Sequence, residues 1–261
     1  MTPRRGPSVA EADHRGADHD DAPDTALAVS VVMPAFNEAE ILESTVADVV
    51  NSLRRRAGSF ELVVCENGST DDTLAISRGL AEKFVEVDVQ HLPDADYGAA
   101  LHAGLRAARG NVVVNFDVDH YDMGFLDLAV AQINAPDGPA IVVGSKRSAG
   151  AHDDRPALRQ LATAAFSFLL RTLFGLGVSD THGMKAMDRA VVAPIARRCR
   201  FGKDLFDTEL ILRAERAGLR TSEIPVTVVE RRPARTSILR RVPRTLSGLV
   251  KLRVALWRDR V

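Results

Sequence analysis

Asp117 and Asp119 stand one residue apart after the apolar run Val112-Val113-Val114, inside NVVVNFDVDHYD. A β-branched run of this kind reads as a strand buried on both faces. Ligands of an open α/β sheet bind beyond the carboxyl ends of its strands. Residues i and i+2 of an extended chain point the same way, so the two carboxylates are expected to converge on one hard cation, Mg²⁺ or Mn²⁺. A cation held by one or two carboxylates keeps positions for water and for a substrate diphosphate. Taken alone, D-x-D also describes an ordinary acidic turn at a strand end, and the nucleotide reading depends on what the other strand ends carry.

Two other strand ends carry such groups. Pro34, Ala35, Asn37 and Glu38 follow a first apolar run, and Glu66, Gly68 and Ser69 follow a second. A carboxylate at Glu66 can accept the ring N–H of uracil or guanine. Main-chain N–H groups at Gly68, or at Ala99 after Gly98 opens a helix, are candidates to face phosphate or ribose. Each piece is equally compatible with turn and cap chemistry.

The elements that must position these groups alternate. Strands are expected over Ala26–Met33 (ended by Pro34), Phe60–Cys65, Val85–His91, Val112 onward and Ala140–Gly144. Helices are expected over Glu38–Arg56, from the Ser69–Asp71 caps to about Lys83, and over Ala99–Arg109. This alternation predicts an α/β fold with a mostly parallel central sheet flanked by helices. The second half adds helices over Leu158–Leu176 and Asp207–Ala217 and a strand over Leu219–Val229 broken by Pro225. The Leu158–Leu176 helix has a wide apolar face but carries Arg171 in its middle, so it reads as a core or membrane-surface helix and not as a span.

With 261 residues, of which 46% are hydrophobic, the chain suits one large domain with appendages. A disordered segment is expected over 1–25, a catalytic domain over 26–230 and a basic amphipathic segment over 231–261. The net charge of −1 hides an acidic head and a basic tail, which points to an anionic partner for the tail. Over Ile238–Trp257, Val242, Leu246, Leu249 or Val250, Val254 and Trp257 recur at helical spacing while Arg240, Arg244, Lys251 and Arg258 share another face. Such a helix either lies in a bilayer interface or docks on the sheet with a solvated basic side. The two cysteines, Cys65 and Cys199, argue for a reducing compartment and against a disulfide scaffold or zinc site. No apolar h-region follows the N-terminus, so no secretory signal is expected. The expected location is cytoplasmic, peripheral on the cytoplasmic face of the membrane. The first strand is not followed by G-x-G-x-x-G, which argues against a dehydrogenase, and no motif supports nucleic-acid binding. Oligomeric state is not legible.

Pro34-Ala35-Phe36-Asn37-Glu38, Glu66-Asn67-Gly68-Ser69-Thr70-Asp71-Asp72-Thr73 and Asp117-Val118-Asp119 resemble the GT-A glycosyltransferases of family 2. Ser179-Asp180-Thr181-His182-Gly183-Met184-Lys185, Phe206-Asp207-Thr208-Glu209-Leu210 and Glu223-Ile224-Pro225-Val226 resemble its polyprenyl-phosphate (dolichyl-phosphate) mannose or glucose synthase branch. The resemblance implies a GT-A fold, a nucleotide-diphosphate sugar donor, a divalent metal and transfer of a hexose with inversion to polyprenyl phosphate. It implies that Pro34, Ala35 and Glu38 line the nucleotide and Glu66 contacts the base. Asp117 would face the ribose or diphosphate, and Asp119 would ligate the metal. Arg232 and Ser237 would grip the leaving diphosphate, whose growing charge a cation stabilises. The family pattern usually has Asp at Glu66, Gln at Tyr121 and Gly at Arg235, so His120 or Asp122 becomes the candidate third metal ligand. A lipid phosphate attacks without a general base, whereas a hydroxyl acceptor needs one, for which Asp207 is the candidate. Glu209 is placed near the acceptor with Asp207, and Asp180 and His182 are candidate sugar or acceptor contacts. The rivals are a soluble family 2 enzyme with a hydroxyl acceptor, a nucleotidyltransferase, and a catalytically idle, membrane-peripheral nucleotide-sugar-binding module.

Overall fold

The computed structural model describes residues 27–56, 58–145, 152–153, 157–202, 205–228 and 238–259. The first half alternates as β1 (Val29–Ala35), α1 (Leu42–Arg54), β2 (Phe60–Asn67), α2 (Thr73–Lys83), β3 (Val87–Leu92), α3 (Tyr97–Ala107) and β4 (Val112–Asn115). There follow α4 (Met123–Ile133), β5 (Ile141–Ser145), β6 (His152–Asp153), α5 (Ala157–Phe174), β7 (Lys185–Asp188) and α6 (Arg189–Ala196). The chain continues through α7 (Phe206–Arg216), β8 (Thr221–Pro225), β9 (Thr227–Val228) and α8 (Ile238–Arg258).

Seven strands form one sheet in the order β3-β2-β1-β4-β7-β5-β8, in which only β7 runs antiparallel to its neighbours. Strand periodicity divides the core. Val31, Met33, Leu62, Val64, Val112 and Val114 face α1, α2 and α4. Val32, Val63, Cys65, Val113, Ile141 and Val143 face α3, α6, α7 and α8. The uninterrupted apolar runs of the sequence are thus strands covered on both sides.

Pro34 does not end β1. Val32 O accepts from Phe116 N–H, so residues 32 and 34 direct their backbone groups toward β4, and β4 stops at Asn115. The missing N–H of Pro34 therefore costs no ladder bond, and the strand runs on to Ala35 in register with Glu66. The single strand expected over Leu219–Val229 is two short ones, β8 in the main sheet and β9 paired with β6. The expected 1–25 segment and the start of the 231–261 segment lie outside the described residues.

Candidate active site

The strand order reverses between β1 and β4: β2 and β3 extend the sheet one way from β1, and β4 lies on the other side. Such a reversal opens a crevice at the carboxyl edge, and Asp117 and Asp119 lie there. Their local geometry differs from the extended one expected. Asp117 N–H donates to His120 O (3.2 Å) and His120 N–H donates to Asp117 O (3.1 Å), closing a tight turn over Val118 and Asp119. The buried Val118 anchors the turn, and Thr45 Oγ1 donates to its carbonyl (3.0 Å). Asp119 is exposed and Asp117 half-buried.

Tyr97, at the start of α3, donates its hydroxyl to Asp117 Oδ1 (2.9 Å). Burial raises the Asp117 pKa, and the Asp119 and Asp207 charges raise it further, while the Tyr97 hydrogen bond and the Lys185 charge lower it. The same burial, followed by the charges of Asp117 and Asp207, holds the Tyr97 phenol well above its ordinary pKa. Tyr97 is therefore a fixed donor that orients Asp117.

At the end of β2, Glu66 is fully buried. Its Oε1 accepts from Ser69 N–H (2.6 Å), and Oε2 lies 2.5 Å from Nδ1 of His91, its register partner on β3. Asn37 and Ser69, expected to face a nucleotide, instead bind each other's loops. Asn37 N–H donates to Ser69 Oγ (3.0 Å), and Thr70 N–H donates to Asn37 Oδ1 (2.8 Å). Glu38 N–H joins the seam by donating to Thr73 Oγ1 (2.8 Å). Pro34 and Ala35 are buried at the end of β1. Gly68 has φ +68°, and a Cβ there would lie 2.8 Å from Pro93 O, so the β3–α3 loop requires a residue without a side chain. Gly98 is buried in the first turn of α3, and the Ala99 N–H assigned to phosphate or ribose is taken by the capping carboxylate of Asp96 (2.9 Å). The caps expected for α2 also differ: Asp72 occupies that position with no side-chain cap, and Asp71 Oδ1 accepts from Thr73 N–H (3.0 Å).

The antiparallel β7 delivers Lys185 to the catalytic edge. It is fully buried, its Nζ donates to Gly183 O (2.6 Å), and the ammonium lies 3.0 Å from Asp207 Oδ1. That contact is an ion pair without hydrogen-bond alignment, since Oδ1 finds no aligned donor. Asp207 enters from the first turn of α7, where the helix dipole favours a negative charge. Asn115, opposite Lys185 in register, is buried with both amide atoms unpartnered. Asp180 Oδ1 accepts from His182 N–H (2.9 Å), and its Oδ2 is buried without a partner. Glu209, expected near the acceptor with Asp207, turns away: it accepts from the N–H groups of Arg200 and Phe201 and from Arg213 Nε, each at 2.8 Å.

Sequence reasoning missed Tyr97, His91 and Asn115, and it gave Lys185 no role of its own. The Asp96 cap at the start of α3 was the available signal, and it bears on Tyr97 alone. Arg232 and Ser237 lie outside the described residues. Among the described residues no three His, Cys, Asp or Glu side chains form a metal-holding group. The His120 backbone closes the turn that carries Asp117 and Asp119. Two carboxylates on one tight turn fit a cation shared with a diphosphate, and do not fit an all-protein cage. Cys65 has no part in the chemistry, since burial pushes its thiol up to about 12.

The profile of glycosyl transferase family 2 matches residues 30–195. Glycosyltransferase AglD of Haloferax volcanii is 34% identical over 203 residues, which make up 76% of this chain but only 32% of AglD. A dolichyl-phosphate hexose transferase of the same organism is 32% identical over 205 residues, 78% of this chain and 83% of that protein. Among solved structures, glucosyl-3-phosphoglycerate synthase from Mycobacterium tuberculosis in complex with Mg²⁺ and uridine diphosphate has a TM-score of 0.59 at 25% identity, covering 83% of this chain and 74% of that one. The expected GT-A fold is borne out by that likeness and by the family match.

Proposed function

We propose that this chain, which belongs to glycosyl transferase family 2, moves a hexose from a nucleotide-diphosphate sugar to polyprenyl phosphate at the cytoplasmic face of a membrane. One observation carries the reading: the Asp117–His120 turn lies at the strand-order reversal, beside the β1 and β2 loops. The relative named as a dolichyl-phosphate hexose transferase supports the lipid acceptor.

Mg²⁺ or Mn²⁺, when bound, would neutralise charge on the leaving diphosphate. Asp119 and Asp117 would hold it, with Tyr97 fixing the orientation of Asp117. Glu66, positioned by Ser69 and His91, offers its remaining lone pairs to a nucleobase N–H. Arg232 and Ser237 would grip the diphosphate. A lipid phosphate attacks the anomeric carbon as an anion and needs no base, so Asp207, held by Lys185, serves as a positioning carboxylate. The expected division at residues 26–230 and 231–261 is kept as part of this proposal.

Membrane contact is supported by Phe168 on α5 and by Val250 and Trp257 on α8, at 71%, 67% and 69% exposure, beside the exposed cations Lys251, Arg253 and Arg258. No helix among the described residues is long and apolar enough to cross a membrane. Loss of co-sedimentation with anionic vesicles in Trp257→Ala is the expected outcome. Wild-type protein that stays in the supernatant would remove the membrane from the proposal.

A second reading, transfer to a hydroxyl with Asp207 as base, is favoured by the likeness to glucosyl-3-phosphoglycerate synthase. The deciding experiment is a thermal-shift panel of GDP-, UDP- and dTDP-sugars with Mg²⁺ or Mn²⁺ on wild type and Asp119→Asn, followed by acceptor assays with polyprenyl phosphate and phosphoglycerate. A metal-dependent shift with one donor, lost in the variant, is expected. No shift with any donor would overturn the reading.

A further inference from the structure

Away from the catalytic edge, the ends of three helices enclose a cavity. α7 leaves that edge at Asp207 and runs to Arg216, shortly before β8 enters the sheet at its opposite edge. At about 1.5 Å per residue this puts roughly 15 Å between the catalytic carboxylates and the far end of the helix. There a cavity of about 290 Å³ is lined by Ile195, Arg198, Arg213, Arg216, Leu256 and Asp259. A second, of about 250 Å³, shares Arg216 and adds Arg253, Val254 and Trp257.

One guanidinium in the wall of the first cavity is only partly met. Arg213 is 6% exposed. Its Nε donates to Glu209 Oε1 (2.8 Å), and Nη1 lies 2.8 Å from Asp259 Oδ2. Glu209 is also engaged by the N–H groups of Arg200 and Phe201, and Asp259 is shared with the Arg200 guanidinium at 3.4 Å. The Arg213 hydrogen bond holds the Asp259 carboxyl below its ordinary pKa, so it stays an acceptor. Arg213 Nη2 is buried with no hydrogen-bond partner. Arginines at helix ends commonly complement the dipole, and Arg216 Nη1 donates to Leu256 O (3.4 Å) in that manner. Dipole complementation does not account for a desolvated guanidinium nitrogen in the wall of a cavity, since an unmet buried donor of a charged group is costly. An anion with several acceptor oxygens would meet it.

We propose that the cavity between the ends of α6, α7 and α8 binds a phosphoryl group, with Arg213 Nη2 as its buried donor and Arg198 and Arg216 as its exposed arms. The phosphoryl group comes either from a free phosphate or from a lipid headgroup whose apolar part rests on Val254 and Trp257. The site is separate from the donor pocket and independent of the reading of that pocket.

The test titrates inorganic phosphate and pyrophosphate into the full chain at constant ionic strength, by calorimetry and thermal shift, with phosphatidylglycerol vesicles as a parallel probe. Wild type, Arg198→Ala and Arg216→Ala are compared, because Arg213 substitutions would also free Glu209 and Asp259. We expect binding that weakens about tenfold in each variant, as for loss of one charge-assisted contact, with nucleotide-sugar shifts unchanged. Free phosphate that binds and competes with vesicles assigns a free ligand. Vesicle binding alone, weakened in both variants, assigns a headgroup. No binding of any probe, or binding equal in all three proteins, overturns the site.

Discussion

The Lys185 ammonium lies 3.0 Å from Asp207 Oδ1, and the two side chains are 0% and 5% exposed. This pair joins β7 to the start of α7, and both of its charges act on Asp117 of the D-x-D turn. Removing one partner leaves an uncompensated buried charge, so Lys185→Met is expected to cost about 3–5 kcal/mol. The double variant Lys185→Met/Asp207→Leu is expected to recover much of that loss. Urea denaturation of the three proteins checks it, and a double variant no more stable than the single one would contradict the pairing.

Asp117 gives a pH-dependent prediction. Its folded pKa is raised above 3.8, chiefly by burial. Between the unfolded and folded values the native state holds more protons than the unfolded chain, so stability falls as pH rises through that window and the penalty is complete above it. Asp117→Asn, which can still accept from Tyr97, should therefore melt higher than wild type at pH 7. That gain should vanish as the pH drops through the window, and metal-dependent donor binding should be lost throughout. A melting temperature at pH 7 no higher than wild type would refute the assignment.

Asn37 combines two roles that substitutions can separate. It has φ +55°, and its Oδ1 accepts from Thr70 N–H. Asn37→Ala loses the acceptor and strains the backbone, for an expected cost of about 2 kcal/mol. Asn37→Gly loses the acceptor alone and should cost about half as much. Both should raise the donor KM, because the seam it closes joins the loops after β1 and β2. Chemical denaturation and donor titrations would measure the two effects.

Gly68→Ala should be more damaging than an exposed loop change. The residue has φ +68°, and the new methyl would meet backbone atoms of residues 93–95 at 2.8–2.9 Å. A cost of about 1–3 kcal/mol is expected from the conformation and the contact together, with the β3–α3 loop displaced. Faster amide exchange at Ala95 and Asp96 would report that displacement.

The sequence made the parallel half legible because its strands are β-branched runs covered on both faces, and because D-x-D follows one of them. β7 escaped notice since Lys185–Asp188 is short and begins with a charge, and a buried lysine cannot be told from a surface one without its partner. At Asp117–His120 the sequence was compatible with both an extended strand end and an acidic turn, and the hydrogen bonds that decide for the turn are backbone ones that side-chain types do not encode. Asn37 and Ser69 carry the right chemistry for a ligand but direct it at each other, a contact across 32 residues that spacing does not encode. The link from Glu66 to His91 depends on strand register, which a pattern of apolar residues constrains only modulo two.

The sheet order also bears on how the chain is made. β5 has two neighbours, β7 and β8, and both are synthesised after it. As the ribosome delivers the polypeptide, β1 to β4 can assemble together, while Ile141–Ser145 emerges with both of its edges unmet until Lys185–Asp188 follows. For that interval an apolar strand is available to other nascent chains, the circumstance in which strands pair wrongly. Slow translation between residues 145 and 185 would prolong the exposure, and a holdase that covers short apolar strands would be the natural safeguard for yield in the cell.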